Sequence, residues 1–170
     1  LLNRSSDLVE FVAERFTLSV TLPPKMRDDS GAVEAFFMRL RGGVNRVKAW
    51  HFARPVPKGT MRGSPTLSAG VSRGGTSLPI TGGTASSTLK AGDMLAVGGQ
   101  LFMVAENVNL NGSGAGTVPV VHRVRATIAS GAAVTWDKPT AEFVMPAWMA
   151  TFVHNVDALE NVSLDFEEVW

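Results

Sequence analysis

The chain contains no cysteine and no tyrosine. Without cysteine, disulfide frameworks, zinc–thiolate sites, iron–sulfur clusters and cysteine nucleophiles are excluded. Long apolar runs are missing too. Gly, Pro, Ser and Asn break every uncharged stretch before it reaches the roughly 20 residues that span a bilayer. The N-terminus shows no positively charged start followed by an apolar core, so neither a secretory leader nor membrane insertion is expected. Acidic residues are absent from positions 35–92, where Arg39, Arg41, Arg46, Lys48, Arg54, Lys58, Arg62, Arg73 and Lys90 all fall. After Lys138 the bias reverses: Glu142, Asp157, Glu160, Asp165, Glu167 and Glu168 occur with no Lys or Arg.

What is present points to a folded, strand-rich protein. Hydrophobic residues make up 45% of the 170 positions and the net charge is only +1, too apolar and too neutral for a disordered chain. That length suits one domain, or one domain carrying an insertion. The 17 glycines and 9 prolines, among many Ser and Thr, suit short strands joined by tight turns.

Phe16, Leu18, Val20 and Leu22 alternate with Arg15, Thr17, Ser19 and Thr21, the period of a strand with one buried face. Pro23-Pro24 ends it. Val33, Phe36, Phe37 and Leu40 recur at helical spacing and predict a helix over 29–41. Asp28, Asp29 or Ser30 would cap it, and Gly42-Gly43 would stop it. Residues 46–52 read as a strand burying Val47, Ala49 and Trp50, and the proline-containing 53–60 as an exit from this first unit. Short strands are then expected at 66–72, 76–81, 94–97, 100–106, 117–121, 133–136 and 142–145, with Gly98-Gly99 as a two-residue hairpin turn. Residues 148–153 read as a further strand. Val162, Leu164 and Phe166 alternate with Ser163, Asp165 and Glu167, so this last strand and 15–22 share a half-buried character that fits one sheet. The expected architecture is mainly β. Residues 1–55 and 147–170 form a discontinuous sheet domain, and 61–146 an inserted small β-barrel or β-sandwich.

Chemistry is sparse. His51, His122 and His154 are dispersed, and none forms a metal-binding spacing. No Gly-x-Ser-x-Gly elbow occurs. Asp28-Asp29 and Glu167-Glu168 are explained by helix capping and solubility, and Asp93 in Ala-Gly-Asp-Met by a turn. The glycine-rich 111–116 lacks the Gly-Lys-Ser/Thr ending of a phosphate loop and reads as a hairpin tip. No catalytic residue, cofactor or metal ligand is expected, and the chain is not read as an enzyme.

Several turn motifs occur in a telling order. A strand ending in Trp50-His51-Phe52 leads to Pro-Lys-Gly-Thr-Met-Arg-Gly at 57–63, then Gly-Gly-Thr-Ser-Leu at 74–78 and Leu-Lys-Ala-Gly-Asp-Met-Leu-Ala-Val at 89–97. Gly-Gly-Gln-Leu-Phe-Met-Val, His-Arg-Val-Arg and Gly-Ala-Ala-Val-Thr-Trp follow at 98–104, 122–125 and 131–136. Over roughly residues 15–146 this order resembles the distal tail proteins of long-tailed bacteriophages. The resemblance implies a tube-like β-sandwich or split barrel with a flanking helix. It also implies a ring, usually of six copies, at the virion tail tip. Such a ring joins the tail tube to the hub and fibre apparatus, neighbours the tape measure protein, lets DNA pass without holding it, and is assembled in the bacterial host cytoplasm. No catalytic residues are implied.

The charge asymmetry fits a head-to-tail contact in which unlike patches of identical copies meet. Arg39, Arg41, Arg46 and Lys48 would approach Asp165, Glu167 and Glu168 of a neighbour. Pairing of these groups within one chain is the alternative. Two other classes remain: a receptor- or glycan-binding module using Trp136 of the insertion, and a nucleic-acid binder using the basic cluster between Arg39 and Arg62.

Overall fold

The computed structural model describes residues 15–22, 25–146, 154–155, 158–159 and 162–169. The strand expected at 148–153 lies outside these residues. Among the described residues the fold is mainly β, with one α-helix and curled antiparallel sheets.

In chain order, β1 (Thr17–Leu22) and β2 (Lys25–Met26) precede α1 (Arg27–Leu40), a 3-10 turn at Arg41–Gly43 and β3 (Val47–Trp50). Then come β4 (Gly63–Leu67), β5 (Ser77–Gly83), β6 (Thr88–Leu89), β7 (Met94–Val97), β8 (Gln100–Met103), β9 (Val108–Asn109), β10 (Gly116–Pro119) and β11 (Val134–Thr135). The chain ends with β12 (Thr140–Val144), β13 (His154–Asn155), β14 (Ala158–Leu159) and β15 (Val162–Glu168).

The two half-buried strands at the chain's ends are neighbours. β1 and β15 run antiparallel with six residues in register, from Thr17 opposite Glu167 to Leu22 opposite Val162. They form one side of a four-stranded sheet of order β1-β15-β12-β3. β12 falls in the stretch expected to belong to the insertion. Its alternation of Ala141 and Phe143 inward with Glu142 outward lets it complete this sheet, pairing with β3 and β15 instead.

α1 starts at Arg27, so Asp28, Asp29 and Ser30 lie inside its first turn rather than before it. Phe37 and Leu40 are buried against the sheet, whereas Phe36, expected on the same stripe, is 45% exposed. The helix ends where Asn45 satisfies its last carbonyls. The Asn45 backbone N–H donates to Leu40 O at 3.1 Å, and its side chain donates to Arg39 O. Gly43, at φ +94°, makes the reversal; a Cβ there would meet Met145 O at 2.9 Å.

The middle of the chain closes on itself. One sheet has order β10-β5-β4 and another β11-β7-β8. Single bridges at Thr66–Ala133 and Val104–Val120 join them on both sides into a barrel-like unit, with the β6–β9 ribbon alongside. Its core gathers Met61, Leu67, Leu78, Ile80, Phe102 and Val118, all at most 1% exposed.

A second core lies between the four-stranded sheet and the barrel. The β7–β8 hairpin serves both. Leu95, Val97 and Phe102 enter the barrel core, while Met94, Ala96 and Leu101 join Phe37, Leu40, Phe143, Leu164 and Phe166. The hairpin turns at Gly98-Gly99, both at positive φ (57° and 77°), which a two-residue turn matching strand twist requires.

Candidate functional site

The residues expected at a subunit contact lie on the four-stranded sheet and the end of α1. Strand alternation turns Leu164 and Phe166 inward and leaves Ser163 and Asp165 exposed. The same alternation puts Glu142 and Lys48, directly opposite each other in register, on the outer face. Arg46 bonds Glu142 there at 2.9 Å. Glu167 accepts a hydrogen bond from Arg15 at 2.9 Å. Asp165 stands opposite Ser19. Arg39, Arg41 and Lys48 are exposed and form no ion pair among the described residues. Arg46, Lys48, Asp165 and Glu167 therefore share one face, and two of these four are paired within the chain.

Glu168 differs from the expectation. It is fully buried, because β15 turns Leu164, Phe166 and Glu168 to the inside in succession. It meets Arg125, itself 6% exposed, in a two-armed ion pair: Nη1 donates to Oε2 at 2.5 Å, and Nη2 donates to Oε1. The Phe16 N–H donates to Oε2 at 3.2 Å. Gln100 completes the cluster. Its Oε1 accepts from Arg125 N at 2.7 Å, and its Nε2 donates to Ala126 O at 2.9 Å. A buried charge persists only when paired and hydrogen-bonded; the two Nη groups and both carboxylate oxygens meet that need, while Arg125 Nε makes no hydrogen bond among the described residues. Glu168 thus clasps the 121–128 loop of the barrel to the last strand of the sheet. It presents nothing to a neighbour.

Neither a protein-family model nor a curated protein matches the chain.

Two further features lie near the expected contact. An open apolar groove of about 500 Å³ runs between α1 and the sheet, lined by Leu18, Val20, Phe36, Trp50 and Phe52, with Lys48 as its one charged lining residue. Phe36 and Phe52 are 45% and 59% exposed. Among the described residues, the sheet also has two sides with no further strand. β1 and β3 are its outermost strands, so each carries a row of backbone groups that no other strand of this sheet pairs.

Asp93 carries a role that its sequence context only hinted at. The carboxylate is 4% exposed. It accepts from Lys58 N at 2.7 Å, Gly59 N at 3.1 Å and Lys90 N at 2.7 Å. It therefore ties the Pro-Lys-Gly exit loop to the Ala-Gly-Asp turn. Gly59 is required there: a Cβ would sit 2.2 Å from Thr88 O. The Pro-Lys-Gly and Ala-Gly-Asp motifs, separated by some thirty residues in sequence, form one joint.

The tryptophan considered for sugar stacking is engaged inside the chain. Trp136 Nε1 donates to Gly63 O at 2.9 Å, and the Arg62 guanidinium lies 5.0 Å over its ring. Among the described residues, no group of three or more His, Asp or Glu could hold a metal ion. No helix among them is long and apolar enough to cross a membrane.

Proposed function

We propose that the chain is a structural subunit of a bacteriophage tail tip. Identical copies join head to tail into a closed ring, hexameric by the resemblance. The ring connects the tail tube to the hub and fibre proteins, with the tape measure protein as a neighbour and DNA passing through without being held. The reading rests on the order of turn motifs together with one structural observation, the four-stranded sheet that no further strand among the described residues extends at either edge.

Those edges are complementary in direction. Each strand in the order β1-β15-β12-β3 is antiparallel to the next, so β3 runs opposite to β1. A neighbour's β1 laid beside β3 continues the antiparallel pattern without a break. Its inward-facing Leu18 and Val20 then meet Phe36 and Phe52 at the open groove, which adds apolar burial to side chains that the chain alone leaves exposed. Contacts between unlike patches of this kind close into rings when the rotation permits. Lys48, left without an ion pair on β3, would lie toward the neighbour's β1–β15 face, where Asp165 is exposed. Trp136, stacked under Arg62, gives the glycan-binding alternative less support.

Native mass spectrometry of the purified chain tests the proposal. A single closed oligomer is expected, and Phe36→Ser with Phe52→Ser should dissociate it while leaving the circular-dichroism spectrum unchanged. A monomer at working concentrations, or an oligomer indifferent to both substitutions and to proline in β3, overturns it.

A further inference from the structure

The loop between β9 and β10 is closed by two backbone hydrogen bonds, from Asn111 N to Ala115 O and from Gly114 N to Asn111 O, both at 2.9 Å. Inside this turn one oxygen of the Asn111 side chain accepts three more. Ser113 N donates at 2.9 Å, Ser113 Oγ at 2.7 Å and Ala115 N at 3.0 Å. Two of these donors are backbone N–H groups, which can only donate, so the atom they meet is the carbonyl oxygen Oδ1 and not Nδ2. The next residue is Gly112, whose own N–H makes no hydrogen bond among the described residues. Nothing lies within 4 Å of where its Cβ would be. An uncommitted, uncrowded nitrogen is thus adjacent in sequence to a carbonyl whose oxygen is held by three donors. Donors aimed at an oxygen that gains charge during reaction are what an oxyanion hole supplies.

We propose that Asn111 is a self-modification site, at which the folded turn promotes loss of the side-chain amide. The Gly112 nitrogen gives up its proton to solvent hydroxide and bonds to Asn111 Cγ. Negative charge gathers on Oδ1, where the three donors stabilise it. The Cγ–Nδ2 bond then breaks, and Nδ2 leaves as ammonia after taking a proton from water. Water opens the resulting cyclic imide at either carbonyl, leaving aspartate or isoaspartate at position 111. One water is consumed and one ammonia released, and no oxidant or reductant is involved. Every other asparagine in the chain precedes Arg, Val or Leu, whose side chains crowd the attacking nitrogen. The product has a structural consequence. Gly83 N donates to Gly114 O at 3.1 Å, and a Cβ on Gly114 would sit 1.8 Å from Gly83 O. A turn this closely seated has no room for the longer backbone of isoaspartate, so that product lifts the tip off β5.

The test is a time course of the full chain in mildly alkaline buffer, folded and in urea, read by peptide mapping and isoaspartate detection. Conversion is expected at position 111 alone and faster in the folded chain than in urea. Ser113→Ala should slow the folded reaction roughly tenfold, less than the roughly hundredfold or more that a donor in an enclosed oxyanion hole is worth, because this turn is open to water. Gly112→Ala fits the open space and should nearly stop conversion without changing the melting temperature. Conversion no faster folded than unfolded, insensitivity to Ser113→Ala, or equal conversion at other asparagines overturns the proposal.

Discussion

Two carboxylates among the described residues are withdrawn from water, and each is held by a different kind of partner. Glu168 faces a guanidinium, so removing either member strands a charge. Glu168→Leu or Arg125→Met alone should therefore cost about 3–5 kcal/mol. The double substitution should recover most of the loss, since an apolar pair has no charge to desolvate. Urea unfolding of the three variants measures both effects, and a double variant as unstable as the worse single one would contradict the account. Asp93 faces only backbone N–H groups. Asp93→Ala leaves all three without an acceptor, the Gly59 one buried and the other two part-buried, and a loss of about 2–4 kcal/mol is expected from the same measurement. Asp93→Asn, which keeps one acceptor oxygen, should lose less.

The turns and strands are governed by backbone conformation as much as by burial. Gly99 adopts φ 77° with open space around its Cβ position, so Gly99→Ala isolates the cost of a left-handed residue. About 1 kcal/mol is expected in thermal unfolding. Gly112→Ala, where φ is not positive, should cost almost nothing. At this scale the sequence was readable where one face is wet. The alternation of 15–22 and 162–168 disclosed both strands and their common sheet. Helical spacing disclosed α1 but not which aromatic faces inward: Phe36 and Phe37 both fit the stripe, and the fold buries Phe37 and leaves Phe36 on the rim of the open groove. In β7 and β8 every residue but Met103 is buried, so no period survived to say which core each side chain serves. The Arg125–Glu168 clasp had no sequence signal at all, because its members are 43 positions apart and each resembles an ordinary surface charge.

Across the whole molecule, the barrel core and the sheet core share the β7–β8 wall and are fastened by the Arg125–Glu168 pair. They should melt as one unit. Leu95→Ala acts on the barrel core and Met94→Ala on the sheet core, yet calorimetry should record a single transition shifted by about 2–5 kcal/mol in each case. Two separable transitions would show that the wall does not couple them. The charge asymmetry of the sequence is met in part at this scale: Glu142, Glu167 and Glu168 each find a cation within the chain, while Asp165 stays exposed on the outer face.

A hairpin with no idle side has a further consequence. Excising the barrel and rejoining its flanks would strip Met94, Ala96 and Leu101 from the sheet that remains, baring an oily floor. The middle of this chain is therefore not a detachable cargo that evolution or an engineer could exchange at will. Any replacement must bring its own pair of strands with side chains suited to the foreign half, and a load applied to one half passes directly into the other.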